Sequence, residues 1–308
     1  MGNIYIYLVN ADNAELMQRV YLEGRDVVND INRRNFLKKS GALLTGSLAV
    51  PSFLNGADYR GETLQVWSCG GLAEAFIPAN LYFEGITKSS INYSGAFAAA
   101  LGKSLLGNAR TEVFAPRVLG LSKKLKAQGK LLSFVPLCYT KYVLITPKGN
   151  KSGITTIDDL AKPGIKVVLS PNASPPGGGA TLAIMKKAGV LEKAKANAIH
   201  KGDCVQRDVN LIINGEGDAA IVEKRITCLP SVKGKVESFD IPEEYIPAKP
   251  VPFVIGIMKW VKNRDLAENF IKFITSEKGQ SYFTKSGFIS AISDEGKRLT
   301  EKYGVRDE

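Results

Sequence analysis

The sequence predicts an α/β protein of two lobes, each with a mostly parallel sheet flanked by helices. Short β-rich runs alternate with amphipathic stretches along the chain, a pattern typical of parallel sheets covered by helices. The alternation pauses near Lys141 and then starts again. The length of 308 residues also suits two domains of roughly 100–200 residues each.

The first alternation has the order βαβαβ and begins after Gly61. Bulky and β-branched runs predict the strands, and apolar residues at helical spacing predict the helices. Strands are predicted at 64–67, 91–93 and 113–114, and helices at 73–83 and 98–106.

The second alternation opens with a strand at 142–146, which a turn at 147–150 closes. A strand at 166–169 leads through a Pro/Gly loop into a helix at 180–188, and a strand at 219–222 comes later. Between them, Val205, Val209, Ile212 and Ile213 have helical spacing. Asp203 is predicted as the N-cap of this helix, with Gln206 three residues on, close to a capping box.

Four prolines between 242 and 252 mark a connection, after which a strand at 254–258 and an amphipathic helix over 266–274 are predicted. The chain should therefore cross twice between lobes, near Lys141 and near Val251. We expect residues 58–141 plus 253–308 to form lobe 1 and residues 142–252 to form lobe 2. Ligands of such sheets lie beyond the carboxyl ends of the strands, where helix N-termini offer free N–H groups.

Composition narrows the class of protein. With 44 % hydrophobic and 23 % charged residues, the chain is neither disordered, collagen-like nor a polytopic membrane protein. The net charge of +11 is spread thinly, and the cluster Lys123, Lys124 and Lys126 is interpreted as a solvated helix face, so no nucleic-acid partner is predicted. The four cysteines contain no CxxC pair, which excludes a zinc ribbon and a thioredoxin-type motif but leaves disulfides open.

An export signal is predicted near the N-terminus. Arg33 and Arg34 precede Phe36 and Leu37, and an apolar run rich in Gly, Ser and Ala extends to Pro51. This resembles a twin-arginine signal, and the run is shorter than the ~20 residues that a spanning helix needs. Residues 1–57 are interpreted as the signal segment. The protein is expected in the periplasm or another extracytoplasmic space, with the start codon, the cleavage site and any retained anchor left open.

Three stretches resemble a known family. They read TPKGN at 146–150, DDLAKPGIKVVL at 158–169 and SPNASPPG at 170–177, and ITSEKGQSYF follows at 274–283. Over about residues 62–290 the chain is similar to the molybdate/tungstate-binding proteins of ABC importers. The resemblance implies a type II periplasmic binding fold with a two-strand hinge, closure around one small solute and delivery to a membrane permease. It implies a monomer with no cofactor, whose ligand is molybdate or tungstate.

The resemblance also assigns ligand residues. Gly71 stands where the family has a serine, tungstate-type members carry an aspartate where Ser174 sits, and Glu223 supplies one of their two carboxylates. Neutral hydroxyl and N–H donors suit a tetrahedral dianion. The predicted ligand residues are Ser68, Cys69, Gly71, Ala98, Ser174, Pro176, Gly177, Val205 and Glu223.

The sequence leaves two alternatives open. Because several pocket hydroxyls of the family are replaced, Cys69, Cys204 and Glu223 could instead bind a soft or borderline metal ion, with His200 nearby. The cysteines could equally be small buried hydrophobes. An exported enzyme is the second class of function, but the chain has one histidine, and Gly177 to Gly179 fit neither nucleotide fingerprint, so no enzyme is predicted.

Overall fold

The computed structural model describes residue 54 and residues 57–173, 177–249 and 251–307. Strands and helices alternate through this part of the chain. The strands are β1 (Thr63–Cys69), β2 (Ser90–Ala96), β3 (Val113–Ala115), β4 (Leu131–Tyr139), β5 (Tyr142–Pro147), β6 (Val167–Leu169), β7 (Ala198–Lys201), β8 (Ala220–Glu223), β9 (Val236–Asp240), β10 (Pro252–Met258) and β11 (Ile289–Ser290). The α-helices are α1 (Ala73–Thr87), α2 (Ala98–Leu106), α3 (Leu119–Ala127), α4 (Gly177–Lys187), α5 (Leu191–Ala196), α6 (Val205–Ile213), α7 (Lys224–Cys228), α8 (Arg264–Thr275), α9 (Glu277–Lys285) and α10 (Asp294–Tyr303).

The first sheet has six strands in the order β11-β4-β10-β3-β1-β2. Strand β1 pairs in parallel with both β2 and β3. Strand β10 is antiparallel to β3 and to β4, so β1, β2, β3 and β4 all run in one direction. Helices cover both faces of this sheet, and together they form what we call the first lobe.

The second lobe contains two smaller sheets, with the orders β8-β5-β9 and β6-β7. Strands β8 and β9 are both antiparallel to β5, while β6 and β7 are parallel. A parallel bridge between Val167 and Ala219 connects β6 to the start of β8. Strands β6, β7, β8 and β9 therefore share one direction, and the predicted α/β class with mostly parallel strands flanked by helices is confirmed.

Both faces of the central strands are buried. In β5, Tyr142 and Leu144 belong to one apolar cluster of the second lobe, and Val143 and Ile145 belong to the other. Side chains alternate between the two faces of a strand, so a strand with helices on both sides is apolar throughout. In the first lobe the aromatic side chains of α1, α8 and α9 pack on one face of the sheet, and these are Phe76, Phe83, Phe270, Phe273 and Phe283.

The chain passes between the lobes twice. It leaves β4 through Thr140 and Lys141 to enter β5, and it returns from β9 to β10. The two passages are adjacent, because the Thr140 N–H donates to the Val251 carbonyl at 2.9 Å. The lobe boundaries, 58–141 plus 253–308 and 142–252, stay a prediction. Strand β5 begins at Tyr142 and β10 at Pro252, close to these boundaries.

Helix α6 begins differently from the prediction. Its N-cap is Cys204, which makes no side-chain cap hydrogen bond. The predicted cap, Asp203, instead forms an ion pair with Arg207 on the surface. The helix starts at Val205 all the same, because its apolar face packs Val209 and Ile212 into the core of the second lobe.

The predicted twin-arginine segment lies outside the described residues. In the part of the chain that the structure describes, no helix combines the length and the hydropathy that crossing a bilayer requires.

Candidate functional site

The predicted ligand loop after β1 is tightly packed. Cys69 ends the strand and a short 3-10 turn, Gly70–Leu72, leads directly into α1. The Ser68 hydroxyl is fully buried, hydrogen-bonds to the Tyr93 hydroxyl at 2.6 Å and donates to the Cys69 carbonyl at 3.0 Å. A hydroxyl has one hydrogen to donate, and in this arrangement Ser68 donates it to an acceptor within the first lobe rather than to a ligand.

Glu223 lies between two guanidinium groups. It is the last residue of β8, and its side chain is buried. Its Oε1 forms an ion pair with Arg117 of the first lobe, and its Oε2 accepts from Arg225 Nε at 2.7 Å. The Tyr142 hydroxyl accepts from Arg117 Nη2 at 2.9 Å and lies 3.4 Å from Glu223 Oε1. Both carboxylate oxygens therefore have cationic partners.

Arg225 also reaches back to the first lobe. Its Nη1 lies 3.5 Å from Oε1 of Glu74, in the first turn of α1. Together, Glu74, Arg117, Glu223 and Arg225 form what we call the cross-lobe ion cluster. Two of its ion pairs, Arg117 with Glu223 and Arg225 with Glu74, join the first lobe to the second.

The pKa values of the two carboxylates in the cluster shift in opposite directions. Burial tends to raise the pKa of Glu223, but Arg117 and Arg225 outweigh it and lower that pKa from 4.5 to about 2. Burial raises the pKa of Glu74, and the opposing effect of Arg225 is smaller. Two guanidinium groups thus face Glu223, which stays ionised, and Glu74, whose pKa is raised.

Three predicted backbone donors lie at helix starts. Ala98 is the first residue of α2, Gly177 of α4 and Val205 of α6. The first N–H groups of a helix have no acceptor inside it and can hold an anion. Ser174 and Pro176 lie outside the described residues.

The predicted metal site is not formed. Among the described residues, no group of three or more His, Cys, Asp or Glu side chains could hold a metal ion, so Cys69, Cys204 and Glu223 do not make one. Both Glu223 oxygens already face arginines, and burial raises the pKa of the Cys69 thiol, against the partial effect of Arg117, which disfavours the thiolate that binds metal. His200 pairs instead with Asp208, at 3.1 Å.

A cavity of about 520 Å³ lies beside this histidine, on the second lobe. Its lining includes Asn172, His200, Lys201 and Arg207. Buried Asp208 fixes one wall, because it accepts from Ser170 at 2.7 Å as well as pairing with His200. Every described residue that lines the cavity belongs to the second lobe, and no member of the cross-lobe ion cluster is among them.

Sequence reasoning missed three members of the cluster: Glu74, Arg117 and Arg225. Arg117 comes two residues after β3, Glu74 is the second residue of the helix that follows the turn after β1, and Arg225 comes two residues after Glu223. Their signal was charge just past the carboxyl ends of predicted parallel strands, which is where ligands of such sheets bind. A search for hydroxyl donors alone does not find these charged residues.

Two lobes of helix-covered, mostly parallel strands, joined by two adjacent passages and meeting at a charged cluster, define a type II periplasmic binding protein. The family model for bacterial extracellular solute-binding proteins matches residues 64–289, and the chain belongs to that family. Its relatives are solute-binding proteins of the extracytoplasmic space rather than enzymes.

Individual relatives differ in what they bind. The molybdate-binding protein ModA of Mycobacterium tuberculosis is 25 % identical over 251 residues, covering 81 % of this chain and 93 % of that protein. The periplasmic molybdate-binding protein of Azotobacter vinelandii has a TM-score of 0.59 at 20 % identity, over 73 % of this chain and 98 % of the other. Iron-bound HitA of Pseudomonas aeruginosa has a TM-score of 0.54 at 17 % identity, over 72 % of this chain and 83 % of that chain. The fold is therefore shared by binders of anions and of metal ions.

Proposed function

We propose that the protein is the solute-binding component of an ABC importer, which captures a small oxyanion of the molybdate or tungstate kind between its lobes and delivers it to a membrane permease. The cross-lobe ion cluster carries this proposal. It joins Arg117 of one lobe to Glu223 and Arg225 of the other, so an anion held there would contact both lobes. Similarity to molybdate-binding ModA supports the same ligand class.

The chemistry of the cleft favours an oxyanion over a neutral solute. Hydrogen bonds from a guanidinium group to an anionic oxygen are about twice as strong as neutral ones. Gly177 and Val205 each begin a helix, and helix N-termini offer N–H groups that can hold an anion without a hydrated cation. The oxygens of a tetrahedral oxyanion point in different directions, so they can accept hydrogen bonds from donors on both lobes.

Calorimetry tests the proposal. Molybdate, tungstate, sulfate and phosphate are titrated into purified protein freed of bound ligand, and at least one should bind with saturation at a single site. Zinc chloride serves as the cation control and should not bind. If none of the four oxyanions binds, the oxyanion proposal fails.

Glu223→Gln refines the role of that carboxylate. A negative charge near a bound anion weakens binding, so its removal should leave the affinity equal or increase it. If Glu223 instead coordinates the metal centre of the oxyanion, the affinity should fall at least about tenfold, or about 1.4 kcal/mol. Glu192→Gln is the matched control, because Glu192 is an exposed partner of Lys195.

Native mass spectrometry and elemental analysis of protein purified from its own periplasm identify the ligand directly. Molybdenum or tungsten at one atom per chain would support the proposal. Stoichiometric iron or zinc would contradict it.

We further propose export by the twin-arginine route. Replacing Arg33 and Arg34 with lysine should leave unprocessed protein in the cytoplasm, because the pathway reads the arginine pair. Replacing Lys38 and Lys39 with arginine is the control and should leave export unchanged. Normal processing of the double lysine variant would refute this route.

A further inference from the structure

Arg225 lies across the glycine of the first ligand loop. A Cβ atom added to Gly71 would be 3.1 Å from Arg225 Nε, 3.3 Å from Cζ and 3.5 Å from Nη2. Contacts below about 3.4 Å are tighter than most Cβ contacts in proteins. The missing side chain at position 71 therefore makes room for the guanidinium group to lie flat against this loop.

The guanidinium group keeps donors for a ligand. Its Nε donates to Glu223 and its Nη1 to Glu74. A guanidinium carries five N–H groups, and the Nη2 pair has no protein acceptor among the residues that the structure describes. The side chain is 20 % exposed, and Nη2 lies beside Gly71, 3.5 Å from where a Cβ would be.

Arg225 is held in place from both lobes. Glu223 and Glu74 fix its two other nitrogens, and the backbone of α7, which carries it, packs on Gly287 of the first lobe, where a Cβ would lie 2.9 Å from Arg225 Cα. A donor fixed in advance loses little entropy on binding. The placement of Arg225 also depends on lobe closure, because Gly71, Glu74 and Gly287 all belong to the first lobe.

We propose that Arg225 is the specificity-determining residue of the cleft, and that its free Nη2 edge binds one oxygen of a small oxyanion seated against Gly71. This inference rests on the proposed function and deepens it. The ligand class is anions whose oxygens accept from a planar guanidinium, namely tetrahedral oxyanions. Neutral solutes of the same size would offer the Nη2 edge only an uncharged acceptor and should bind more weakly.

Substitutions at Arg225 and at Gly71 test the proposal by calorimetry with molybdate, tungstate, sulfate and phosphate. Arg225→Gln should lower the affinity for whichever anion binds the wild type by at least about tenfold, or about 1.4 kcal/mol. The affinity of Arg225→Lys should lie between those of the wild type and Arg225→Gln, because lysine keeps the charge but loses the planar guanidinium group. The control Arg264→Gln removes a surface arginine that is 67 % exposed, and its affinity should stay within about twofold of wild type.

Gly71→Ala tests the same geometry with every charge kept. The new methyl group pushes the guanidinium from the loop, and the anion affinity should fall several-fold. Thermal unfolding of each variant shows whether it is folded. If Arg225→Gln does not fold, Arg225→Lys and Gly71→Ala decide the question.

The outcomes separate the two proposals. Wild-type affinity in a folded Arg225→Gln, or in both Arg225→Lys and Gly71→Ala, overturns the role of Arg225 and leaves the proposed function standing. A wild type that binds none of the four oxyanions overturns both.

Discussion

Glu223 is an ionised carboxylate in a buried position. Moving a single charge out of water is costly, and removing one partner of a buried pair typically destabilises a protein by about 3–5 kcal/mol. Arg117 and Arg225 compensate Glu223 from two sides. The stacking of Arg117 on the Phe253 ring, with 5.4 Å from Cζ to the ring centroid, fixes one of these partners.

The pH dependence of stability should reveal this carboxylate. Its pKa is lowered from 4.5 to about 2 in the folded protein, so its stabilising effect is complete above pH 4.5 and is lost as the pH falls toward 2. Urea unfolding at several pH values should show a steeper acid decline for the wild type than for Glu223→Gln. Parallel curves for the two proteins would contradict the assignment.

Gly287 is a second residue at which geometry decides. Its φ is +85°, and a Cβ would lie 2.9 Å from both Arg225 Cα and Cys228 Sγ. Gly287→Ala should lower the free energy of unfolding by about 1–3 kcal/mol and, by displacing α7, should weaken anion binding. Gly234→Ala is the matched control, since φ is +78° there but nothing lies within 4 Å. Equal losses of stability, with anion binding unchanged in both, would show that the contact with α7 is unimportant.

At the scale of elements, α8 illustrates how a local signal and packing agree. The Asn263 side chain caps the helix by accepting from the Leu266 N–H at 3.0 Å. The helix then buries Phe270 and Phe273 against Phe83 of α1. The cap at Asn263 and the apolar face of the helix both favour a helix over these residues.

Removing this cap should be measurable. Asn263→Ala should lower the free energy of unfolding by about 1 kcal/mol, while Asn263→Asp, which keeps an acceptor and suits the positive end of the helix dipole, should lose little. Denaturant titrations should show a shifted midpoint with an unchanged slope for Asn263→Ala. An equal loss in both variants would mean that the cap hydrogen bond contributes nothing.

Strand β4 shows why some elements escape prediction from sequence. Pro136 lies inside it, and a proline normally excludes a run from the interior of a sheet. In the structure the register between β4 and β10 shifts between Phe253 and Val254, so that Val254 faces Pro136 and Phe253 faces Cys138. This irregularity accommodates the proline, and local sequence does not report it.

At the scale of the whole molecule, we expect the cross-lobe ion cluster to link ligand binding to lobe closure. Two ion pairs connect the lobes at the cleft, beside passages that allow hinge motion. A ligand anion that contacts Arg225 in the closed form stabilises that form.

Small-angle scattering should detect the closure. A compact protein spanning residues 57–307 has an expected radius of gyration of about 18 Å, and saturating oxyanion should bring the measured value toward it. Glu223→Gln without ligand should be more open than the wild type, because it loses the charge that pairs with Arg117. A radius that does not change with ligand or with this variant would contradict closure. The exposed variant Glu192→Gln is the control and should match the wild type.

The sequence by itself determined the class of fold and many helix limits. Helix α2 runs over Ala98–Leu106, as predicted, because helical periodicity is a property of neighbouring residues. Helix α6 runs over Val205–Ile213, where the apolar periodicity predicted a helix, although its cap is Cys204 rather than Asp203. The α/β alternation and its restart near Lys141 were also readable, since each strand and helix must bury an apolar face of its own.

Tertiary structure alone decided which charges meet. Glu74, Arg117 and the neighbouring pair Glu223 and Arg225 come from three separate places in the chain. Nothing local to these places shows that two lobes bring them together. The same holds for Gly71, whose missing side chain matters because Arg225 lies on it. Local sequence sets propensity and periodicity over a few residues, whereas contacts between lobes depend on how whole sheets are oriented by the chain that joins them.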